Sequence, residues 1–112
     1  MAIDIQALVG QIIQAVSAQL GKDVSTLEGF SRDQVEGLAR QAQLIAAASA
    51  SGHLSKDDLD FFLDNLKMLA RNFADTLAAL GVIAVEKAWN AAVTALWSAI
   101  GKAAKIALPA PF

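Results

Sequence analysis

Thr76-Leu-Ala-Ala-Leu-Gly-Val-Ile-Ala-Val85 carries no charge, no proline and one glycine, and its reading decides how the chain folds. On both sides lie good helix formers: between residue 56 and residue 107 there is no proline, and Gly81 and Gly101 alone interrupt the run. When successive residues are set about 100° apart around one axis, Leu59, Phe62, Leu66, Leu69, Phe73, Leu77 and Leu80 gather on one side. Asp57, Asp60, Asp64, Lys67, Arg71 and Asp75 fall opposite. Beyond Gly81 the pattern inverts. Val82, Val85, Trp89, Val93, Leu96 and Ile100 now occupy the formerly polar side, while Lys87, Asn90, Thr94, Ser98, Lys102 and Lys105 take the formerly apolar one. The apolar face turns by roughly half a circle at Gly81.

Two arrangements satisfy that seam. The chain can break at Gly81, where a missing Cβ lowers helical stability by about 1 kcal/mol relative to alanine, and a fourth helix then folds its stripe onto the same bundle. Alternatively the helix runs through, straight or kinked, and its second half buries its stripe against another copy of the chain. With neither charge nor a turn-forming pair, the stretch argues against an exposed hairpin loop. A helical segment over residues 56–107, kinked or continuous at Gly81, within a homo-oligomer is therefore expected. Its interface would be Val82, Val85, Trp89, Val93, Leu96, Trp97 and Ile100.

Upstream the helix signals are plain. Ile5, Leu8, Val9, Ile12, Ile13, Val16 and Leu20 recur at steps of three and four ahead of Gly21, which predicts a helix over residues 4–20. Ser25-Thr-Leu-Glu28 reads as the cap of a short turn. Ser31 with Gln34 forms a capping box, and Phe30 with Val35 a hydrophobic staple, so a second helix spans about residues 32–51 and stops at Gly52. Ser55 with Asp58, flanked by Leu54 and Leu59, repeats the device and starts a third helix at residue 56. The expected fold is all-α: one domain over residues 1–112, a bundle of three to four helices over about 4–20, 32–51, 56–80 and 82–107. Alanines at 70, 74, 78, 84, 88, 92, 95, 99 and 103 would let helix axes approach closely.

Composition narrows the functional classes. Nine basic and eleven acidic residues leave a net charge of −2, not the basic footprint of a nucleic-acid binder. Without cysteine the chain has no disulfide or thiolate chemistry. Met1-Ala2-Ile3-Asp4 has no basic region ahead of an apolar run, so a conventional secretory signal is not expected and a cytoplasmic location is the simplest placement. Apolar residues make up 55% and charged residues 18%, fewer charges than a soluble domain usually carries, and such a chain must hide much of its surface. The apolar run from Leu77 to Ile100 nearly matches a bilayer span, but Glu86, Lys87 and Asn90 lie inside it on an organised polar face.

Catalytic patterns are weak. His53 is the sole histidine and sits in the Gly52-His-Leu connector. Asp57, Asp60 and Asp64 share a helix face, but carboxylates near a first turn are also what the helix dipole favours. No Glu-x-x-His pair, phosphate loop or zinc spacing occurs. Neither a cofactor, a metal nor a small-molecule substrate is expected, and the protein reads as non-enzymatic. A carrier of an apolar ligand between helices rests on apolar content alone.

What remains is self-assembly through the C-terminal helix or, as the alternative, membrane activity. Residues 1–80 hold six Lys or Arg against ten Asp or Glu, whereas residues 81–112 hold three Lys against one Glu. The cationic end, with Trp89 and Trp97 on or beside the apolar stripe and Lys87, Lys102 and Lys105 on the polar side, has the generic pattern of an amphipathic helix lying on a lipid surface.

Overall fold

The structure, a computed structural model, describes residues 3–81 and 84–112. The two expected capping boxes, at Ser31 and Ser55, are working caps, and Asp4 caps the first helix in the same way. The Asp4 carboxylate accepts from the Ala7 amide at 3.1 Å and opens α1, Ile5–Leu20. Ser31 Oγ accepts from the Gln34 amide at 3.2 Å and opens α2, Arg32–Ala50. Ser55 Oγ accepts from the Asp58 amide at 3.1 Å and opens α3, Lys56–Ala79. Each bond satisfies an amide that the first helical turn leaves without a partner. Between α1 and α2 a single 3₁₀ turn, Val24–Thr26, is capped by Asp23 rather than by the Ser25–Glu28 stretch. The last helix, α4, is Val85–Ala104.

Of the two arrangements left open by the seam, the chain takes the four-helix one. Gly81 has φ +101°, a backbone conformation outside the right-handed helix and strained for any residue with a Cβ. The Leu80 amide donates to Thr76 O and Leu77 O, and the Gly81 amide to Ala78 O at 3.0 Å, so the last turn of α3 tightens and ends there. Helices of 24 and 20 residues laid end to end would reach about 66 Å, yet the longest dimension is 41 Å. The expected continuous helix is therefore not formed. The α4 helix runs back along α3, with Glu86 Oε1 2.6 Å from Arg71 Nη1 and Trp89 Nε1 donating to Lys67 O at 3.0 Å. Nothing lies within 4 Å of where a Cβ would stand at Gly81, so its backbone conformation alone, and not crowding, calls for glycine there.

The α4 helix packs against all three other helices, and α2 also touches each of the others, with α1 and α3 on opposite sides. The core is continuous through the bundle: Val9, Ile12 and Val16 from α1, Val35, Leu38 and Ala42 from α2, Leu66, Phe73 and Leu77 from α3, and Val93, Leu96 and Ile100 from α4. Ala88, Ala91 and Ala92 are buried on α4, where small side chains let its neighbours approach. Phe30 meets Phe73 edge to face with centroids 6.2 Å apart, so the staple residue ahead of α2 also fastens α3. Among the described residues no polar or charged residue is buried.

Candidate interaction surface

The expected interface residues are already covered by their own chain. Val93, Leu96 and Ile100 are 0% exposed and Trp97 8%, with Val85 and Trp89 partly buried. Val82 lies outside the described residues. Both indoles are tied down. Trp97 Nε1 donates to Pro109 O at 3.0 Å, and Trp89 meets Phe112 edge to face at 4.8 Å with the Arg71 guanidinium 5.3 Å from its ring centre. The residues after α4 thus fold back along the bundle, where Lys67 Nζ also donates to Pro111 O at 3.0 Å. A contact between copies through the α4 stripe would first require α4 to leave the bundle.

Lys87, Lys102 and Lys105 are exposed, as the lipid-surface pattern expected, but the stripe that would enter a bilayer faces inward. Lys87 and Lys102 stand at opposite ends of a shallow trough between α1 and α4, lined by Gln11, Gln14, Asn90, Thr94 and Ser98. Among the described residues no helix is long and apolar enough to cross a membrane.

His53 is exposed beside the end of α2, its Nδ1 2.9 Å from Ser51 Oγ, and that hydroxyl also reaches Ala48 O at 3.1 Å. The pair closes a helix end in full contact with solvent. Asp57, Asp58 and Asp64 are exposed and Asp60 partly so; among the described residues no group of three or more potential ligands is arranged to hold a metal ion.

Sequence reasoning missed a different surface. Leu44 on α2 is 64% exposed, and Phe61 and Met68 on α3 are 62% and 66% exposed. Leu69, expected inward, is 42% exposed, whereas Leu63 is buried. The inward face of α3 is Leu63, Leu66, Ala70, Phe73, Ala74 and Leu77, rotated by roughly 50° from the expected stripe. The cause is that α3 has two neighbours and must present the sector between them: α2 on one side, and α4 on the side of Lys67 and Arg71.

Leu44 and Phe61 are joined through Phe62, and Met68 lies on the same side of α3 as Phe61. Leu44, Ile45 and Ala48 of α2 with Leu54 and Phe62 wall an apolar cleft of about 300 Å³. Phe61 packs edge to face on Phe62 with centroids 5.5 Å apart. Met68, two turns on from Phe61, borders Trp89 together with Lys67 and Arg71. The Phe61 and Met68 spacing of seven was readable in advance as an apolar pair on the polar side of the helix. Comparison with known families, with curated proteins and with solved structures yields no match.

Proposed function

We propose that this chain is a non-enzymatic helical interaction protein that associates with itself, and that the contact lies on the outer face of α2 and α3 rather than on the α4 stripe. The carrying observation is that Leu44, Phe61 and Met68 each stand more than 60% exposed on adjoining faces of a bundle whose core is otherwise closed. Scattered apolar residues on a surface need no explanation; a connected belt of large ones marks a contact surface. The α4 residues supply the fold that holds this belt rigid.

Sedimentation of the purified protein across a concentration series tests the proposal. Wild type should gain mass with concentration, and Phe61→Glu with Met68→Glu should remain a monomer of unchanged helicity, since both positions already face water. Leu96→Glu should instead unfold the chain, because an unpaired charge in the core costs several kcal/mol. Wild type that stays monomeric at hundreds of micromolar overturns the proposal. Anionic vesicles form the second arm. A salt-sensitive shift of tryptophan emission at low lipid would favour the lipid-surface alternative, in which α4 leaves the bundle to insert. With the stripe covered by the other helices, little shift is expected.

A further inference from the structure

Resting on that reading, we propose that the partner is a second copy docked through α3 in antiparallel register, about a two-fold axis close to Asn65. Three features of α3 converge on this geometry. The first is a ridge: Phe61, Asn65, Met68 and Asn72 recur at steps of four, three and four, within about 60° of one line along the helix, and all but the partly buried Asn65 are exposed.

The second is charge order on one flank of that ridge. Asp57, Asp60 and Asp64 occupy its N-terminal half, and Lys67 and Arg71 follow in its C-terminal half, with Asp75, the intrachain partner of Arg71, beyond them. In an antiparallel pair related by a two-fold axis, each flank meets the same flank of the other helix reversed. The carboxylates then face the cations. In a parallel pair the two-fold runs along the helices, and this flank would meet the opposite flank of the partner's α3, which carries Asp58, Phe62, Leu69 and Thr76 and offers the carboxylates no cation. Within the chain Asp57 and Asp60 have no ion-pair partner among the described residues. Arg71 keeps 40% of its side chain exposed while serving Asp75 and Glu86, and its guanidinium has donors to spare.

The third is register. Setting Phe61 against Met68 of the partner subunit centres the pair between residues 64 and 65. Setting Asp60 against Arg71 of the partner subunit, or Asp64 against Lys67 of the partner subunit, centres it between 65 and 66. These centres, fixed by apolar and by charged residues independently, differ by one residue, about 1.5 Å along the axis.

The size of the face agrees with a modest interface. The ridge from Asp57 to Asn72 runs about 24 Å, and with the α2 flank around Leu44 the face is about 20 Å wide. Two such faces cover on the order of 1,000 Å², the lower end of what specific pairs bury. Association should be reversible and concentration-dependent, because the core closes without a partner.

The chain has no cysteine, so engineered thiols report the geometry directly. Asn65→Cys lies at the axis and should form a covalent dimer under mild oxidation. Asn72→Cys lies about 20 Å from its counterpart in this register and should cross-link at least about tenfold more slowly. Mixed with Asp57→Cys, it should form the heterodimer. If Asn72→Cys self-links as readily as Asn65→Cys, the antiparallel register is overturned. If wild type dimerises but none of the three thiols links above the rate of a thiol placed at Gln14 on α1, the α3 contact is overturned while self-association stands. A monomer by sedimentation overturns both.

Discussion

Of the five described residues with positive φ, Gly81 and Lys105 should respond oppositely to substitution. Gly81, at φ +101°, has open space where a Cβ would stand, so Gly81→Ala tests backbone strain alone. It should lower stability by about 1–2 kcal/mol, read as a lower midpoint of chemical denaturation with unchanged slope. Lys105, at φ +56°, is the single non-glycine among the described residues with positive φ; its amide donates to Gly101 O and so closes α4. Lys105→Gly should raise stability by up to about 1 kcal/mol, less the small loss of a cation near the helix C-terminus. Gly29 is constrained differently: a Cβ there would come within 2.8 Å of the Leu80 side chain, which shows how tightly the turn before α2 sits against the end of α3.

At the scale of elements, α4 and α2 each pack on the three other helices, and Leu96 of α4 lies wholly inside the core they close. Leu96→Ala should therefore cost about 2–5 kcal/mol, whereas Met68→Ala should leave the melting temperature of dilute protein within about a degree or two of wild type. Equal losses at the two positions would mean that the inward and outward faces are misassigned. The end of α1, both ends of α2 and the start of α3 were legible because Ser31, Ser55 and the glycines after α1 and α2 are local signals that act within one turn. The reversal after α3 was not. Thr76–Val85 holds no turn pair, and the half-circle change of face at Gly81 fits a fold-back and a continuous helix buried by a second copy alike, because both hide the same residues. The setting of α3 about its own axis was also misjudged, since periodicity shows that a helix has an inner face but not how many neighbours share it. Phe61 and Met68 were passed over for that reason: on a helix already credited with one apolar side, a second pair seven residues apart reads as noise.

On the scale of the whole molecule, the inverted face that suggested an obligate assembly is consumed within one chain, and α3 is left with Asp57, Asp60 and Asp64 ahead of Lys67 and Arg71 along its outer flank, Asp75 closing the row. In an isolated bundle this order gains little: carboxylates in the first turn suit the helix dipole, and exposed pairs three or four residues apart contribute a few tenths of a kcal/mol each. Across a two-fold axis it selects orientation. The prediction that follows uses two variants and their mixture. Asp60→Lys with Asp64→Lys makes the flank net cationic, four cations against Asp57 and Asp75; Lys67→Asp with Arg71→Glu makes it uniformly anionic. Each variant alone should associate at least about tenfold more weakly than wild type, since like charges then meet across the axis. Arg71 also pairs with Glu86, so the anionic variant is first checked for native helicity, with Lys67→Asp alone as the substitute if it fails. Mixed in equal amounts, the variants should form a heterodimer at least as tight as the wild-type pair, with a stronger dependence on salt. Restoration in the mixture cannot arise from damage to either fold. Two variants that stay weak when mixed would show that the flank does not face its own reverse, and that the ordering of charge along α3 has no part in pairing.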